Sequence, residues 1–276
     1  MDIPRIPLAD WVESLVSYMQ DAFGPFFDLL TDGIGGFVDF FVFILNAIPA
    51  FVLIIILAGI AYWTSRWTIS LFTVIGLALI YSLGYWEPML DTLALVITSV
   101  IISIVLGVPI GIWMSRSNRA QSVITPILDF MQTMPAFVYL IPSILFFGIG
   151  LVPGIISAVI FAMPPTIRLT NLGIRQVPKD LIEAADAFGT TPAQKLVKVQ
   201  LPLATPTILA GINQSIMLSL SMVVIASLVG APGLGSDVYR AVTQIKVGTG
   251  FEAGLSIVIL AIILDRISQN IKPRKN

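Results

Sequence analysis

Residues 89–114 read MLDTLALVITSVIISIVLGVPIGIWM and carry a single charged residue, Asp91. A helix needs about 20 consecutive apolar residues to cross the hydrocarbon core of a bilayer. Lipid offers no hydrogen-bond partners to the backbone, so an isolated apolar segment of this length crosses as a helix. The stretch therefore predicts a membrane-spanning helix and assigns the chain to the all-α integral membrane class.

Six further apolar segments lie on either side of this stretch. Of the chain's 276 residues, 57% are hydrophobic and 11% are charged, whereas soluble domains have about 25% charged residues. A large soluble domain therefore has no room beside the apolar segments, and we predict about seven membrane-spanning helices. The other six are predicted at 38–62, 67–86, 123–148, 153–172, 203–230 and 250–270.

The basic residues predict an orientation with the N-terminus outside and the C-terminus inside. In that orientation twelve of the 15 Lys and Arg residues lie in the cytoplasm, and only Arg5, Arg240 and Lys246 lie outside. Cytoplasmic loops carry the excess of Lys and Arg in membrane proteins. Residues 271–276 are then a basic cytoplasmic tail, and residues 1–37 an extracytoplasmic segment.

The outer N-terminal segment has the spacing of an amphipathic helix over residues 8–30. Leu8, Trp11 and Leu15 recur at helical spacing, while Asp10 and Asp21 fall elsewhere on the helical wheel. Such a helix lies either on the outer membrane surface or against the protein's own outer surface. The segment has no basic region followed by an early apolar stretch, so it does not have the pattern of a signal peptide.

Residue types limit the chemistry of the chain. It contains no Cys and no His, which removes thiol nucleophiles, imidazole bases and the commonest metal ligands. The phosphate-loop motif G-x-x-x-x-G-K-[ST] is absent, so ATP, if it drives this protein, is hydrolysed by another chain. The basic residues form no nucleic-acid footprint.

The longest polar stretch between spans, residues 173–202, lies on the inner side and predicts a helical hairpin. The first helix has Pro178 in its first turn and ends at Gly189. The second begins at Thr191, with Gln194 placed to complete a capping box. We predict that this helix stops before Pro202, because the residue before a proline avoids the α region.

This inner loop carries the pattern E-A-A-x-x-x-G-x9-V-x-L-P. It resembles the E-A-A-x-x-x-G-x9-I-x-L-P signature of the permease subunits of ABC importers, with valine in place of isoleucine. The resemblance implies that the hairpin is the element that couples the permease to a cytosolic ATPase. The coupling residues it implies are Glu183, Ala184, Ala185, Gly189, Val199, Leu201 and Pro202.

Each part of the signature has a physical interpretation. A helix that presents Ala184 and Ala185 can approach another surface closely, and Glu183 can bond to a partner's donor. Gly189 permits a tight turn where a β-carbon would clash.

A closer resemblance extends over nearly the whole chain. Residues 126–142 (PILDFMQTMPAFVYLIP), 213–217 (NQSIM) and 230–235 (GAPGLG) look like the permeases for glycine betaine, proline betaine and choline. The resemblance implies a type I importer permease, with two accessory helices within 38–88 and a core of five helices within 89–270. Its location would be the bacterial cytoplasmic membrane. Alternatives are a permease for another solute, such as an amino acid, or an ion-coupled secondary transporter.

The same resemblance implies a set of partners. Two copies of an ABC ATPase subunit would bind ATP and magnesium, and no cofactor would bind to this chain. An extracytoplasmic binding protein would deliver the substrate, and two copies of the permease would pair.

Several polar and aromatic side chains are candidates to line a pathway. Prolines interrupt the fourth span, and amides in the fourth and sixth spans lie at a similar depth, where they either line a shared pathway or hydrogen-bond to each other. Aromatic faces attract quaternary ammonium groups, although here we interpret the aromatic residues mainly as packing. The candidates are Gln132, Thr133, Phe137, Tyr139, Asn213, Gln214 and Ser215.

Asp129 and Arg168 are ionisable residues within predicted spans, where such residues are candidates for function. Both lie near the inner end of their helices, so we favour solvation at the membrane interface or a mutual ion pair. Small residues also recur every four positions, from Ser99 to Ser115 in the third span and from Gly211 to Ser219 in the sixth. Such stripes allow helices to approach closely. They fit packing within one bundle or an interface between subunits, and we take the two stripes as one reason to expect a homodimer.

Overall fold

The computed structural model describes residues 7–270, and every regular element in that range is helical. The predicted basic tail at 271–276 and Arg5 lie outside the described residues. The α-helices are α1 (Leu8–Ala47), α2 (Ala50–Thr64), α3 (Trp67–Ser82), α4 (Trp86–Arg116), α5 (Asn118–Thr133), α6 (Leu140–Phe147), α7 (Leu151–Arg175), α8 (Lys179–Ala187), α9 (Pro192–Lys195), α10 (Leu201–Ala226), α11 (Leu234–Thr243) and α12 (Val247–Gln269).

The predicted spans are all helical, but they are not all straight. Among the described residues, four continuous helices are long and apolar enough to cross a membrane, and two bent pairs raise the number to six. The four are α4, α7, the continuous helix Pro192–Val229 and α12. The remaining predicted span, 67–86, corresponds to α3, which has only 16 residues.

The prediction of one continuous helix over residues 38–62 is wrong, because α1 ends at Ala47 and α2 begins at Ala50. The chain bends by 104° between α1 and α2. Ile48 adopts an extended conformation before Pro49, because the proline ring excludes the α region at the preceding residue. Residues 38–47 therefore continue the N-terminal helix, and the chain changes direction ten residues later than predicted.

α1 is amphipathic along its 40 residues. At about 100° per residue, its five aspartates fall within one stripe about 40° wide. This exposed stripe consists of Asp10, Asp21, Asp28, Asp32 and Asp39. A second face exposes large apolar side chains such as Trp11, Phe26 and Leu29. A third face packs on the bundle, where Phe27 stacks on Phe146 of α6 with ring centroids 4.6 Å apart. Of the two alternatives, the structure shows that the N-terminal helix packs on its own protein. It also keeps an apolar face exposed, and its placement on the membrane surface stays a prediction.

α7 lies at the centre of the bundle, where it packs against both α4 and α10. A β-carbon at Gly111 of α4 would lie 2.6 Å from Cβ of Thr170, and one at Gly211 of α10 would lie 3.0 Å from the carbonyl oxygen of Pro165. Both small-residue stripes are therefore used within the chain. They no longer support the prediction of a homodimer.

The segment 230–235 closes the end of the bundle where α4 and α7 begin. Gly230 and Gly233 both have positive φ, at 91° and 111°. The hydroxyl oxygen of Thr92 in α4 accepts a hydrogen bond of 2.9 Å from the amide of Leu234, and the amide of Gly150 donates one of 2.8 Å to the carbonyl of Val229. This segment is therefore fixed to the bundle by backbone groups.

Candidate functional site

The inner loop folds as the sequence predicts in its first part. α8 ends next to Gly189, which has a φ of 73°. Thr191 then caps α9, and its side chain and that of Gln194 form both hydrogen bonds of a capping box. The two arms of the hairpin are therefore set by local sequence.

The second part of the loop differs from the prediction. The helix that begins at α9 does not stop before Pro202 but continues through a π turn at Leu196–Gln200 into α10. A proline inside a helix lacks an N–H donor and crowds the preceding turn, and the wider π turn just before Pro202 accommodates both effects. Val199, Leu201 and Pro202 thus lie within one continuous helix that joins the loop to the bundle.

The coupling residues implied by the resemblance do not all face outward. Glu183 and Ala184 are exposed on α8, but Ala185 is buried, with 7% of its surface accessible. Its carbonyl oxygen accepts hydrogen bonds from the amide and hydroxyl of Thr190, at 3.2 and 2.8 Å. The expectation that Ala185 is presented to a partner is therefore wrong for this chain, and Ala185 supports the hairpin from inside.

Gly189 also has a different role from the one expected. A β-carbon at this position would meet no atom within 4 Å. No clash with the described residues requires glycine, and the requirement comes from the left-handed backbone conformation. The neighbouring Phe188 is 88% exposed, so the turn presents an aromatic ring to its surroundings.

Charged contacts that the sequence analysis missed hold the loop in place. Lys195 forms a salt bridge with Asp186 across the turn. Nη2 of Arg116, the last residue of α4, donates to the carbonyl of Pro192 at 3.1 Å. Arg175, at the end of α7, donates to the carbonyl of Met114 at 2.9 Å. For the contacts of Arg116 and Arg175, a basic residue in the last turn of α4 and of α7 was the only sequence signal.

The candidate pathway residues of the fourth span lie at a break in the helix. The chain bends by 107° between α5 and the segment Ala136–Phe147. Gln132, Thr133 and Phe137 are exposed around this break. Tyr139 is buried, and its hydroxyl donates to the carbonyl of Met131, so it fixes the bend.

The candidate pathway residues of α10 also include both exposed and buried side chains. Gln214 is exposed, whereas Ser215 is buried and donates to the carbonyl of Ala162 at 2.5 Å. Asn213 donates to Asp265 of α12 at 3.2 Å and accepts a hydrogen bond from Ser268. The hydrogen bonds of Asn213 thus go to α12 and none goes to the amide of the fourth span. The alternative of paired amides is not found.

Of the alternatives for Asp129 and Arg168, the ion pair is present. Nη2 of Arg168 in α7 lies 2.6 Å from Oδ1 of Asp129 in α5. The two side chains are 38% and 57% exposed in the single chain. Among residues 7–270, no cluster of three or more carboxylate, His or Cys side chains could hold a metal ion.

Comparison with known proteins gives a match to one family over most of the chain. The family model described as "Binding-protein-dependent transport system inner membrane component" matches residues 103–276. The chain is 65% identical over 273 residues to the glycine betaine transport system permease protein OpuAB of Bacillus subtilis, with 99% of this chain and 97% of that protein covered.

Two further relatives have similar names. The glycine betaine/carnitine transport permease protein GbuB of Listeria monocytogenes is 57% identical, with 97% of this chain and 96% of that protein covered. The glycine betaine/proline betaine transport system permease protein ProW of Escherichia coli is 49% identical, with 96% and 75% covered.

Two solved structures of the MetNI methionine ABC transporter, in inward facing conformations, share the fold. The first matches with a TM-score of 0.60 and covers 66% of this chain and 94% of the matched chain. The second matches with a TM-score of 0.62 and covers 68% and 96%. Both are 24% identical to this chain. At this level of identity the likeness shows the fold alone. The chain therefore shares the helical fold of the matched chains of that transporter.

Proposed function

The chain belongs to the family of binding-protein-dependent transport system inner membrane components, and we propose that it is the permease subunit of an ATP-driven importer of glycine betaine or related quaternary amines. It is a multi-pass membrane protein of the ABC transporter class. The observation that carries the substrate class is the 65% identity, over nearly the full length of both proteins, to a glycine betaine permease.

The proposed site of coupling is the exposed surface of the inner loop. Glu183, Ala184 and Phe188 are exposed, and an exposed aromatic side chain near a charged group suits a pocket on a partner protein. Because the loop continues as one helix into α10, a displacement of the loop moves α10 with it. The partner is a cytosolic ATPase, present in two copies, which binds and hydrolyses ATP with magnesium.

Two copies of this permease are proposed to enclose the pathway. In one chain, polar residues at membrane depth such as Gln132 and Gln214 stay exposed, and polar groups in a membrane face protein or water rather than lipid. A second copy related by a two-fold axis would cover these surfaces. A separate binding protein on the outer side would supply the substrate.

Uptake into proteoliposomes tests the proposal. The chain is reconstituted with its ATPase and binding protein, and uptake of labelled glycine betaine is measured with and without internal ATP. We expect ATP-dependent uptake that requires all three components. The matched control replaces the binding protein with one for methionine, since the likeness to the methionine transporter concerns the fold only.

Each other outcome rejects a different part of the proposal. If the loaded binding protein stimulates ATP hydrolysis but betaine is not taken up, the proposed substrate is rejected and the chain belongs to an importer of another solute. Uptake by the chain alone, driven by an ion gradient, would reject the ATP-driven class and support a secondary transporter.

A further inference from the structure

α5 carries a polar stripe on an exposed face. At about 100° per residue, four polar side chains fall within one stripe about 80° wide. They are Ser122, Thr125, Asp129 and Gln132, of which Thr125 is partly exposed and the other three are exposed. A different face exposes the apolar side chains Val123, Ile127 and Phe130. The packing face buries Leu128, so α5 has three distinct faces.

The polar stripe needs water or protein opposite it. α5 rises about 24 Å over its 16 residues, and together with the bent segment Ala136–Phe147 it is long and apolar enough to count as one membrane span. Ionisable and amide side chains at this depth face a bundle interior or a water-filled cavity, because their exposure to lipid is costly. The apolar face is suited to lipid, whereas the polar stripe would face the pathway that the two proposed copies enclose.

The ion pair on this stripe leaves bonding capacity unused. Arg168 contacts Asp129 through Nη2 and Oδ1 only, whereas arginine and carboxylate often form two parallel hydrogen bonds. Nε of Arg168 is buried and has no hydrogen-bond partner among the described residues. Leaving such a donor unsatisfied is costly. Burial keeps Nε out of a ligand's reach, but the side chains of Arg168 and Asp129 are 38% and 57% exposed. The pair therefore has guanidinium N–H groups and a carboxylate oxygen that the single hydrogen bond does not use.

The shape of the pair suits a small zwitterion. We infer that Asp129 and Arg168 form a transient binding site for the betaine zwitterion, with its carboxylate at Arg168 and its quaternary ammonium at Asp129. This inference rests on the proposed function. A quaternary ammonium has no N–H group, so it is held by charge alone, whereas the carboxylate can accept hydrogen bonds from the guanidinium.

The charge balance favours weak binding and fast release. The pair and the ligand each have no net charge, so an antiparallel arrangement of the two dipoles leaves no unpaired ion when the ligand departs. The salt bridge re-forms at 2.6 Å as the ligand leaves. A site of this kind passes the substrate on without competing with a high-affinity binding protein.

Saturation-transfer NMR on the permease–ATPase complex without its binding protein tests the inference. The probe is glycine betaine itself, whose nine methyl protons give one signal. We expect saturable binding with a Kd of about 1 mM or weaker, and a further loss of at least about tenfold in Arg168→Gln and in Asp129→Asn, since each removes a charge-assisted contact. Arg119→Gln is the matched control, because Arg119 is exposed on another face of α5.

A second measurement on the unmodified complex does not depend on the folding of any variant. Tetramethylammonium and acetate each carry one of the two charges, and each should bind at least about tenfold more weakly than betaine. Equal affinity for tetramethylammonium and betaine, or no saturable binding of betaine, would overturn the inference. If proteoliposomes take up betaine while the complex shows no binding, only the inference fails; if uptake is also absent, the proposed function fails with it.

Discussion

The ammonium group of Lys195 lies 2.6 Å from Oδ1 and 2.7 Å from Oδ2 of Asp186. Asp186 belongs to α8 and Lys195 to α9, so this salt bridge joins the two arms of the inner loop across the turn at Gly189. The loop is therefore a closed unit, fixed to the bundle by the continuous helix into α10 and by Arg116.

Breaking the salt bridge is expected to reduce coupling more than stability. In Asp186→Asn or Lys195→Gln, we expect ATP-driven uptake to fall several-fold, because the arms of the loop can then move independently. The midpoint of thermal unfolding should change little, since solvent-exposed ion pairs contribute about 0.2–1 kcal/mol and Asp186 is 52% exposed. Uptake and ATP hydrolysis are measured on the same reconstituted samples.

Lys198→Gln is the control, because it removes a lysine of the same loop that forms no salt bridge among the described residues. The exchange of both residues, Asp186→Lys with Lys195→Asp, should restore most of the uptake. Wild-type rates in both single variants would show that the bridge has no part in coupling.

Gly189 should tolerate asparagine better than valine. At a φ of 73°, a residue other than glycine costs roughly 1–2 kcal/mol, and asparagine adopts this conformation more readily than a β-branched residue. A β-carbon at this position would meet no other described atom within 4 Å. We therefore expect Gly189→Asn to keep most of the uptake and Gly189→Val to lose most of it.

The comparison of these two variants also separates the backbone requirement from a contact with the ATPase. If both variants lose uptake and association with the ATPase equally, the ATPase surface leaves no room for any side chain at position 189. Gly248→Val serves as the control, because Gly248 also has open space around its β-carbon position but no positive φ.

Local signals accounted for most of the inner loop. The capping box at Thr191 and the helix end at Gly189 depend on spacing that the sequence displays directly. The pairing of Asp129 with Arg168 was one of the alternatives that their similar depth in two predicted spans allowed, and the packing of α5 on α7 decides it. The continuation through Pro202 and the burial of Ala185 could not be predicted in this way. They depend on a π turn and on the packing of the two loop arms, which tertiary contacts determine. The length of α1 was missed because its apolar face resembles a membrane span from residue 38 onward.

The close packing of α4 on α7 predicts a strong effect of one methyl group. In Gly111→Ala the new β-carbon would lie 2.6 Å from Cβ of Thr170 and 2.7 Å from the carbonyl oxygen of Ile167. The backbone cannot move aside as a side chain can, so we expect a loss of about 1–3 kcal/mol in the free energy of unfolding. The measurement is the unfolding midpoint of the purified protein in detergent.

Gly59→Ala in α2 is the matched substitution, since nothing lies within 4 Å of its β-carbon position. It should leave stability unchanged or raise it slightly, because alanine favours a helix by up to about 1 kcal/mol relative to glycine. Equal effects of the two substitutions would show that α4 and α7 are less closely packed than described.

Asp237 on α11 is expected to make stability depend on pH. Burial raises the pKa of its carboxyl group above 3.8, and the positive charge of Arg240, 3.9 Å away, opposes this shift only in part. A raised pKa in the folded state means that the unfolded chain releases this proton at lower pH than the folded chain does. The contribution of Asp237 to stability is therefore present below pH 3.8 and is lost as the pH rises through the pKa of the folded state.

The test compares unfolding midpoints of the wild type and Asp237→Asn between about pH 4 and about pH 7. Asparagine cannot ionise, so the variant should gain stability relative to the wild type as the pH rises. Asp180→Asn, which alters an exposed aspartate of α8, provides the control. A difference between Asp237→Asn and the wild type that stays constant over this range would mean that burial does not disfavour the ionised form. If the variant instead lost stability relative to the wild type as the pH rises, the attraction of the ionised carboxylate to Arg240 would outweigh the effect of burial on the pKa.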